Sequence, residues 1–182
     1  MKAVWVQENQ AGNPLSWEEV PEPVCGEEDV LVDIHATALN RADLAQRSGG
    51  YPPPPGASPI LGLEMAGVVS SVGGAVSGWR PGDRVCALLS GGGYAERVAV
   101  PHQMLSRIPE SWSFTDAAAV PEVFYTAYVN LFLEGGLREG ETVLLHGGAS
   151  GVGTAGIQMA REAGCRVLVT AGSAEKVRVS RR

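Results

Sequence analysis

One stretch constrains this chain more than any other. From Glu141 to Gly153 it reads ETVLLHGGASGVG, an apolar run entering a glycine-rich turn that opens a helix. Such a junction leaves backbone N–H groups unpaired under the positive end of a helix dipole, an arrangement suited to phosphate. Val143, Leu144 and Leu145 form a run short enough for a buried strand. Val152, Ala155 and Met159 then recur at helical spacing, so the period changes at the glycines. A second run, Arg166 to Thr170, completes a strand–helix–strand unit of about the ~30 residues a βαβ motif needs.

The register of the glycines decides what they do. A literal GxGxxG falls at Gly151, Gly153 and Gly156, but it begins inside the expected helix and reads as a coincidence of composition. Starting instead where the strand ends, Gly148 makes the turn, Gly151 starts the helix, and Gly153 lets the helix pack closely on the strand. Ser150 stands where the usual fingerprint has its middle glycine, and its hydroxyl can reach a pyrophosphate oxygen. The plainer alternative is a strand–helix turn that uses glycine only for its geometry. A hydrolase nucleophile elbow would need glycine two places after the serine, and Val152 stands there.

The end of the second strand bears on which nucleotide fits. An acidic side chain about 20 residues after the turn would accept the 2′-hydroxyl of NAD. Here Thr170-Ala171-Gly172-Ser173-Ala174-Glu175-Lys176 brings no carboxylate before Glu175. Ser173 as a donor and Lys176 as a cation suit a 2′-phosphate, so charge complementarity favours NADPH over NADH. Ser173 as a helix cap and Lys176 as a solvated surface residue is the bland reading, and the two are compatible.

Composition excludes several classes. The 182 residues are 45% hydrophobic and 19% charged, an ordinary soluble balance with material for a core. A net charge of −6 without a basic run argues against nucleic acid or an anionic membrane as the principal partner. No apolar stretch approaches the ~18 residues of a membrane span, and the opening MKAVWVQENQ soon turns polar, unlike a secretory signal. A cytoplasmic protein is expected. Cys25, Cys86 and Cys165 are far apart with no CxxC pair, and His35, His102 and His146 are scattered, so neither a disulfide framework nor a metal site is expected.

From Met1 to about Pro121 the pattern is one of short strands. They fall at residues 2–6, in the alternation of Val30, Val32, Ile34, Ala36 and Ala38, at Glu64 to Val72, at Arg84 to Leu89 and at Tyr94 to Val100. Gly73-Gly74, Pro81-Gly82-Asp83 and Gly91-Gly92-Gly93 punctuate them, which suggests a compact barrel or sandwich. Helices are expected at Asp116 to Ala119 and Glu122 to Leu133, separated at Pro121, whereas Val177 to Arg182 shows little helical periodicity. The expected organisation is thus a strand-rich domain over 1–121, then a connecting helix and a first βαβ unit over 122–182. A dinucleotide sheet normally has six parallel strands; two are expected here, so the sheet is expected to be incomplete and the chain truncated at its C-terminal side.

Two longer segments, ALNRADLAQRSGGYPPPPGAS at 38–58 and LLHGGASGVGTAGIQ at 144–158, carry a family resemblance. With the order of the parts, they resemble the medium-chain dehydrogenase/reductase superfamily. Within it the chain is similar to the zinc-independent quinone oxidoreductases of the tumour-suppressor-inducible, quinone oxidoreductase-like subgroup. The resemblance covers residues 1–176 and implies a GroES-like β-barrel domain followed by the start of an α/β Rossmann domain. Zinc-dependent relatives carry cysteine where this chain has Asn40 and histidine where it has Leu63, and they carry a four-cysteine lobe that is missing here. Asparagine and leucine are not ligands a catalytic zinc uses, so resemblance and residue chemistry imply a metal-free enzyme. Glu64 then reads as structural, paired with an arginine.

The resemblance also implies residue roles. Asn40 and Tyr51 would face the nicotinamide and substrate, Asn40 bonding a carbonyl or ribose group and Tyr51 polarising a quinone carbonyl. Against this, Asn40 can simply cap a helix over Arg41–Arg47, and Tyr51 can pack beside Pro52–Pro55. Thr126 matches a position near the nicotinamide, or is a plain buried threonine. Gly148, Ala149, Ser150, Gly151, Val152 and Gly153 would hold the pyrophosphate, with Gly172, Ser173 and Lys176 at the adenosine end. The implied function is NADPH-dependent reduction of quinones or related α,β-unsaturated carbonyls, by a homodimer when full length. An enoyl reductase, or an inactive fragment serving only folding or association, are the competing readings.

Overall fold

The computed structural model describes residues 1–7 and 10–180. The chain divides into two compact units, Met1–Pro121 and Glu122–Arg182.

The first unit opens with β1 (Lys2–Val6) and β2 (Leu15–Glu19), an antiparallel pair in which Val4 faces Trp17. β3 (Asp29–Ala36), β4 (Glu64–Val72), β5 (Arg84–Leu88), β6 (Arg97–Pro101) and β7 (Leu105–Arg107) form one antiparallel sheet in the order β6-β3-β4-β5-β7. An isolated bridge between Ala3 and Ala95 links the first pair to this unit.

Alternation in β3 explains the core. Val30 and Val32 are fully buried, and they pack with Met65, Val69, Val85, Val98, Val100 and Leu105. Burying each side chain of this size favours folding by roughly 1.5–3 kcal/mol. Gly67 permits the close β3–β4 approach, because a Cβ there would lie 2.1 Å from the carbonyl oxygen of Asp33. A second cluster, Ala66, Cys86, Ile108, Ala117 and Ala118, seats a helix, Phe114–Ala118, against the sheet.

Several bounds differ from the sequence expectation. That helix starts at Phe114 rather than Asp116, because Ser113 caps it: the Ser113 hydroxyl accepts from Asp116 N–H and the Asp116 carboxylate accepts from Ser113 N–H. β6 starts at Arg97, so Tyr94 stands before the strand rather than in it. β2 and β7 are additional: Leu15 and Trp17 of β2 are both exposed, which leaves no apolar stripe to read, and β7 has only three residues.

With α1 as Arg41–Arg47 and α2 as the helix at 114–118, α3 runs over Pro121–Tyr128. Instead of continuing as one α-helix to Leu133, the chain widens into a π-helical turn, Val129–Glu134. It stops at Gly135, where a Cβ would stand 2.8 Å from the carbonyl oxygen of Asn130. β8 (Thr142–His146), α4 (Gly151–Glu162) and β9 (Arg166–Thr170) then form a parallel βαβ unit, paired from Thr142↔Arg166 to His146↔Thr170. α5 (Ala174–Val179) corrects the expectation for 177–179: Ser173 caps it by accepting from Lys176 N–H, and capping supplies what apolar periodicity lacks. Arg181 and Arg182 lie outside the described residues.

The second unit buries little. Its fully buried apolar side chains, among the described residues, are Ala127, Ala155 and Ala160, while Leu144 and Leu168 are 54% and 44% exposed. Among the described residues, no helix is long and apolar enough to cross a membrane.

Candidate functional site

The strand–helix junction of the second unit assigns its glycines separate tasks. Gly147, with φ +72°, makes the left-handed turn out of β8. Gly148 lies in the turn as expected, since the Ser150 N–H donates to the Gly147 carbonyl oxygen at 2.8 Å across it. Gly148 is also buried against β9: its N–H donates to the Thr170 carbonyl oxygen at 2.9 Å, and a Cβ there would lie 2.7 Å from Val169 Cβ. Gly151 opens α4 as expected, and a Cβ on it would meet Val123 Cγ1 at 2.9 Å. Gly153 packs on the turn rather than on the strand, since a Cβ there would stand 2.3 Å from the carbonyl oxygen of Gly147 and 2.8 Å from Gly148 Cα. The contact with the strand belongs to Gly156, whose Cβ would face Leu145 Cδ1 at 3.2 Å; that glycine is therefore not incidental.

Ser150 is the N-cap. Its hydroxyl oxygen accepts from Gly153 N–H at 3.0 Å and its carbonyl oxygen from Thr154 N–H at 2.8 Å. The N–H groups of Gly151 and Val152 find no acceptor among the described residues, and they stand at the start of a 12-residue helix. Unpaired amides there, beside a turn with no room for a side chain at Gly148 or Gly153, fit a pyrophosphate. Ala149 is half-buried in the same turn, and Val152 is exposed.

Farther along, Gly172 has open space around it and Ser173 is the cap of α5. Lys176 is exposed and makes no ion pair among the described residues. His146 Nδ1 lies 3.0 Å from the Thr170 hydroxyl and so ties together the C-terminal ends of β8 and β9. Thr126 is half-buried in α3, its carbonyl oxygen accepting from Asn130 Nδ2 at 2.8 Å.

In the first unit Asn40 occupies the N-cap position of α1 and forms a capping box with Asp43, although its side-chain oxygen stops short of a full cap hydrogen bond. Its Nδ2 donates to Glu64 Oε1 at 2.7 Å. Glu64, at the start of β4, is 1% exposed, and its own carbonyl oxygen accepts from the Thr37 hydroxyl. Asp43 holds the helix start: its Oδ2 accepts from Asn40 N–H at 2.6 Å and from the Tyr94 hydroxyl at 2.5 Å. Its Oδ1 is buried without a partner among the described residues. Burial, the hydrogen bond to Asp43 and the negative charges of Asp43 and Glu64 keep the Tyr94 phenol protonated well above its usual range.

The structure therefore joins Asn40 to Glu64, Asp43 and Tyr94, and no hydrogen bond among the described residues ties Tyr51 to them. Tyr51 is 54% exposed and makes no hydrogen bond among the described residues. The proline run after it borders an apolar cavity of about 390 Å³ lined by Leu88, Leu89, Val98, Val100 and Met104, and Tyr51 is not part of its lining. Sequence reasoning missed Gly147, Asp43 and Tyr94. Asp43 carries a readable signal, an acidic residue three positions after an N-cap asparagine; Tyr94 carries none. Among the described residues no three His, Cys, Asp or Glu side chains are placed to hold a metal ion.

Comparison with known proteins adds the family. Residues 26–110 match the alcohol dehydrogenase GroES-like domain. Over 158 residues the chain is 39% identical to the quinone oxidoreductase of Mus musculus, a match covering 86% of this chain and 48% of that protein. The Escherichia coli quinone oxidoreductase complexed with NADPH is similar with a TM-score of 0.86 at 30% identity, over 98% of this chain and 55% of that one. The CurK enoyl reductase is similar with a TM-score of 0.89 at 28% identity, over 99% of this chain and 56% of that one. The chain thus spans about half the length of each of these three relatives. Over residues 26–110 the chain carries the alcohol dehydrogenase GroES-like domain, and it is similar to quinone oxidoreductases of the medium-chain dehydrogenase/reductase superfamily.

Proposed function

We propose that this chain contributes the coenzyme turn and the acceptor-facing residues of an NADPH-dependent, zinc-independent reductase of quinones or related α,β-unsaturated carbonyls. The observation that carries the reading is the start of α4, where Gly151 and Val152 present N–H groups without an acceptor among the described residues, beside a turn that has no room for a side chain at Gly148 or Gly153. These amides, with the helix dipole behind them, would hold the pyrophosphate, and Ser150 would keep the first turn of the helix in place. NADPH, when bound, supplies the hydride.

The remaining roles fall to this chain's own side chains. Lys176, exposed and without an ion pair among the described residues, would take the 2′-phosphate together with Ser173 and Gly172. Tyr51 would donate its phenolic hydrogen to the acceptor oxygen as charge develops there, and Asn40 would hydrogen-bond the ligand beside it. Thr126 would stand near the nicotinamide. Asn40 and Leu63 provide neither thiolate nor imidazole, and Asn40 turns its amide to Glu64, which supports chemistry without zinc.

Enoyl reduction is the second reading, favoured by the likeness to the CurK enoyl reductase. Both reactions place a hydride acceptor conjugated to a carbonyl, so the same donors serve either. The test is NADPH oxidation followed at 340 nm with 1,4-benzoquinone and, separately, with crotonyl thioester. Faster turnover of the quinone is the expected result; turnover of the thioester alone would establish the second reading, and no saturable NADPH binding would remove both.

A further inference from the structure

We propose that Glu64 is the positioning residue for Asn40, the carboxylate that decides which end of the Asn40 amide is held inside the protein. This inference deepens the reductase reading and rests on it for the ligand that Asn40 meets.

An asparagine side chain carries a donor end and an acceptor end of nearly equal size, and rotation by a half turn about χ2 exchanges them. A carboxylate accepts only. Glu64 Oε1, 2.7 Å from Asn40 Nδ2, therefore selects the orientation with nitrogen toward Glu64. A hydrogen bond with a charged acceptor is also about twice as strong as a neutral one, and Glu64 is 1% exposed, so water does not compete for it. The backbone of Asn40 is held as firmly. Its N–H donates to Asp43 Oδ2, its carbonyl oxygen accepts from Asp43 N–H at 3.1 Å, and Asp43 is itself gripped by the Tyr94 hydroxyl.

Two consequences follow. The Asn40 side chain keeps its place in the capping box with Asp43, whose N–H also reaches the Asn40 carbonyl oxygen, while its nitrogen is committed to Glu64. Its acceptor oxygen, turned toward the Asp43 N–H of the capping box, keeps a lone pair for a partner that donates, such as a ribose hydroxyl, in preference to a carbonyl. Glu64 thus acts on specificity through Asn40 without touching the ligand.

The experiment compares wild type, Asn40→Ala, Glu64→Gln and the double variant. Kinetics use NADPH and 1,4-benzoquinone; the Asn40 carboxamide is followed by its ¹⁵N–¹H side-chain resonances, identified by their loss in Asn40→Ala. In the wild type the two amide hydrogens are expected to be well separated and slow to exchange. Glu64→Gln, whose amide can accept or donate, should merge them toward solvent-like values and lower kcat/KM by roughly 10- to 100-fold. The double variant should be no worse than Asn40→Ala. Glu64→Asp, which keeps the charge but shortens the reach, should recover part of the ordering. Losses that add in the double variant, or an unchanged Asn40 signal in Glu64→Gln, would overturn the proposal. If wild type oxidised no NADPH, the reductase reading would fail by itself, and the Asn40 resonances would still decide whether Glu64 orders this side chain.

Discussion

Replacing Gly153 by alanine sets two measurable effects against each other. Alanine is the better helix former by roughly 1 kcal/mol, and Gly153 lies within α4, so propensity alone predicts stabilisation. The site opposes it. The new Cβ would stand 2.3 Å from the Gly147 carbonyl oxygen and 2.8 Å from Gly148 Cα, about 1 Å inside ordinary contact, and both are backbone atoms that cannot rotate away. Overpacking of this kind costs about 1–3 kcal/mol, so the net expectation is a loss of up to ~2 kcal/mol.

The geometry also says where the strain goes. To relieve it, the first turn of α4 must lift from the Gly147–Ser150 turn, which moves the Gly151 and Val152 amides and should weaken NADPH binding at least tenfold. Gly156→Ala and Gly172→Ala calibrate the result. The former meets flexible leucine ends, Leu145 Cδ1 at 3.2 Å and Leu131 Cδ1 at 3.6 Å, and the latter meets nothing within 4 Å. Amide exchange in β8 and β9 is the suitable stability probe, because Trp5, Trp17, Trp79 and Trp112 all lie in the first unit and their fluorescence does not report on the second. A Gly153→Ala protein as protected as wild type, with unchanged NADPH affinity, would refute the reasoning.

Three further outcomes are expected. Lys176→Ala should weaken NADPH by roughly 1.5–3 kcal/mol while leaving NADH nearly unchanged; equal losses in a paired titration would return Lys176 to the solvated surface. Tyr51→Phe should lower kcat for a quinone with coenzyme affinity intact, and an unchanged rate would make Tyr51 a packing residue. Tyr94→Phe removes a hydrogen bond to the buried Asp43 carboxylate and should cost roughly 1.5–3 kcal/mol at neutral pH, read from chemical denaturation. Because the folded state raises the Tyr94 phenol above its ordinary value near 10, this contribution is complete below about pH 10 and is lost as pH rises further. The gap between wild type and Tyr94→Phe should therefore shrink above pH 10, and a gap constant through pH 11 would contradict the assignment.

What can be read from the chain alone follows the range of the interactions. β4 and β9 are legible to the residue because apolar content and flanking turn residues lie within each segment. The α4 start is legible for the same reason, since Ser150 caps from within the motif. β2 escapes notice because its partner β1, rather than its own pattern, makes it a strand. At the turn, two adjacent glycines look alike in sequence, and only the position of Val169 on β9 shows that Gly148 serves contact and Gly147 conformation. The Asp43–Tyr94 bond joins residues 51 apart, and no local pattern announces it. Asn40 is the instructive case: its N-cap position is readable, but the carboxylate that holds its amide nitrogen is 24 residues away.

The meagre interior of the Glu122–Arg182 unit has a thermodynamic corollary. Among the described residues three alanines supply its deeply buried apolar side chains, so its order draws on a shallow reserve. A ligand seated at the α4 amides and present at a hundred times its dissociation constant would add about 2.7 kcal/mol to that reserve. Occupancy and rigidity in that half then rise and fall together, and a melting curve taken across ligand concentrations would serve as a binding isotherm.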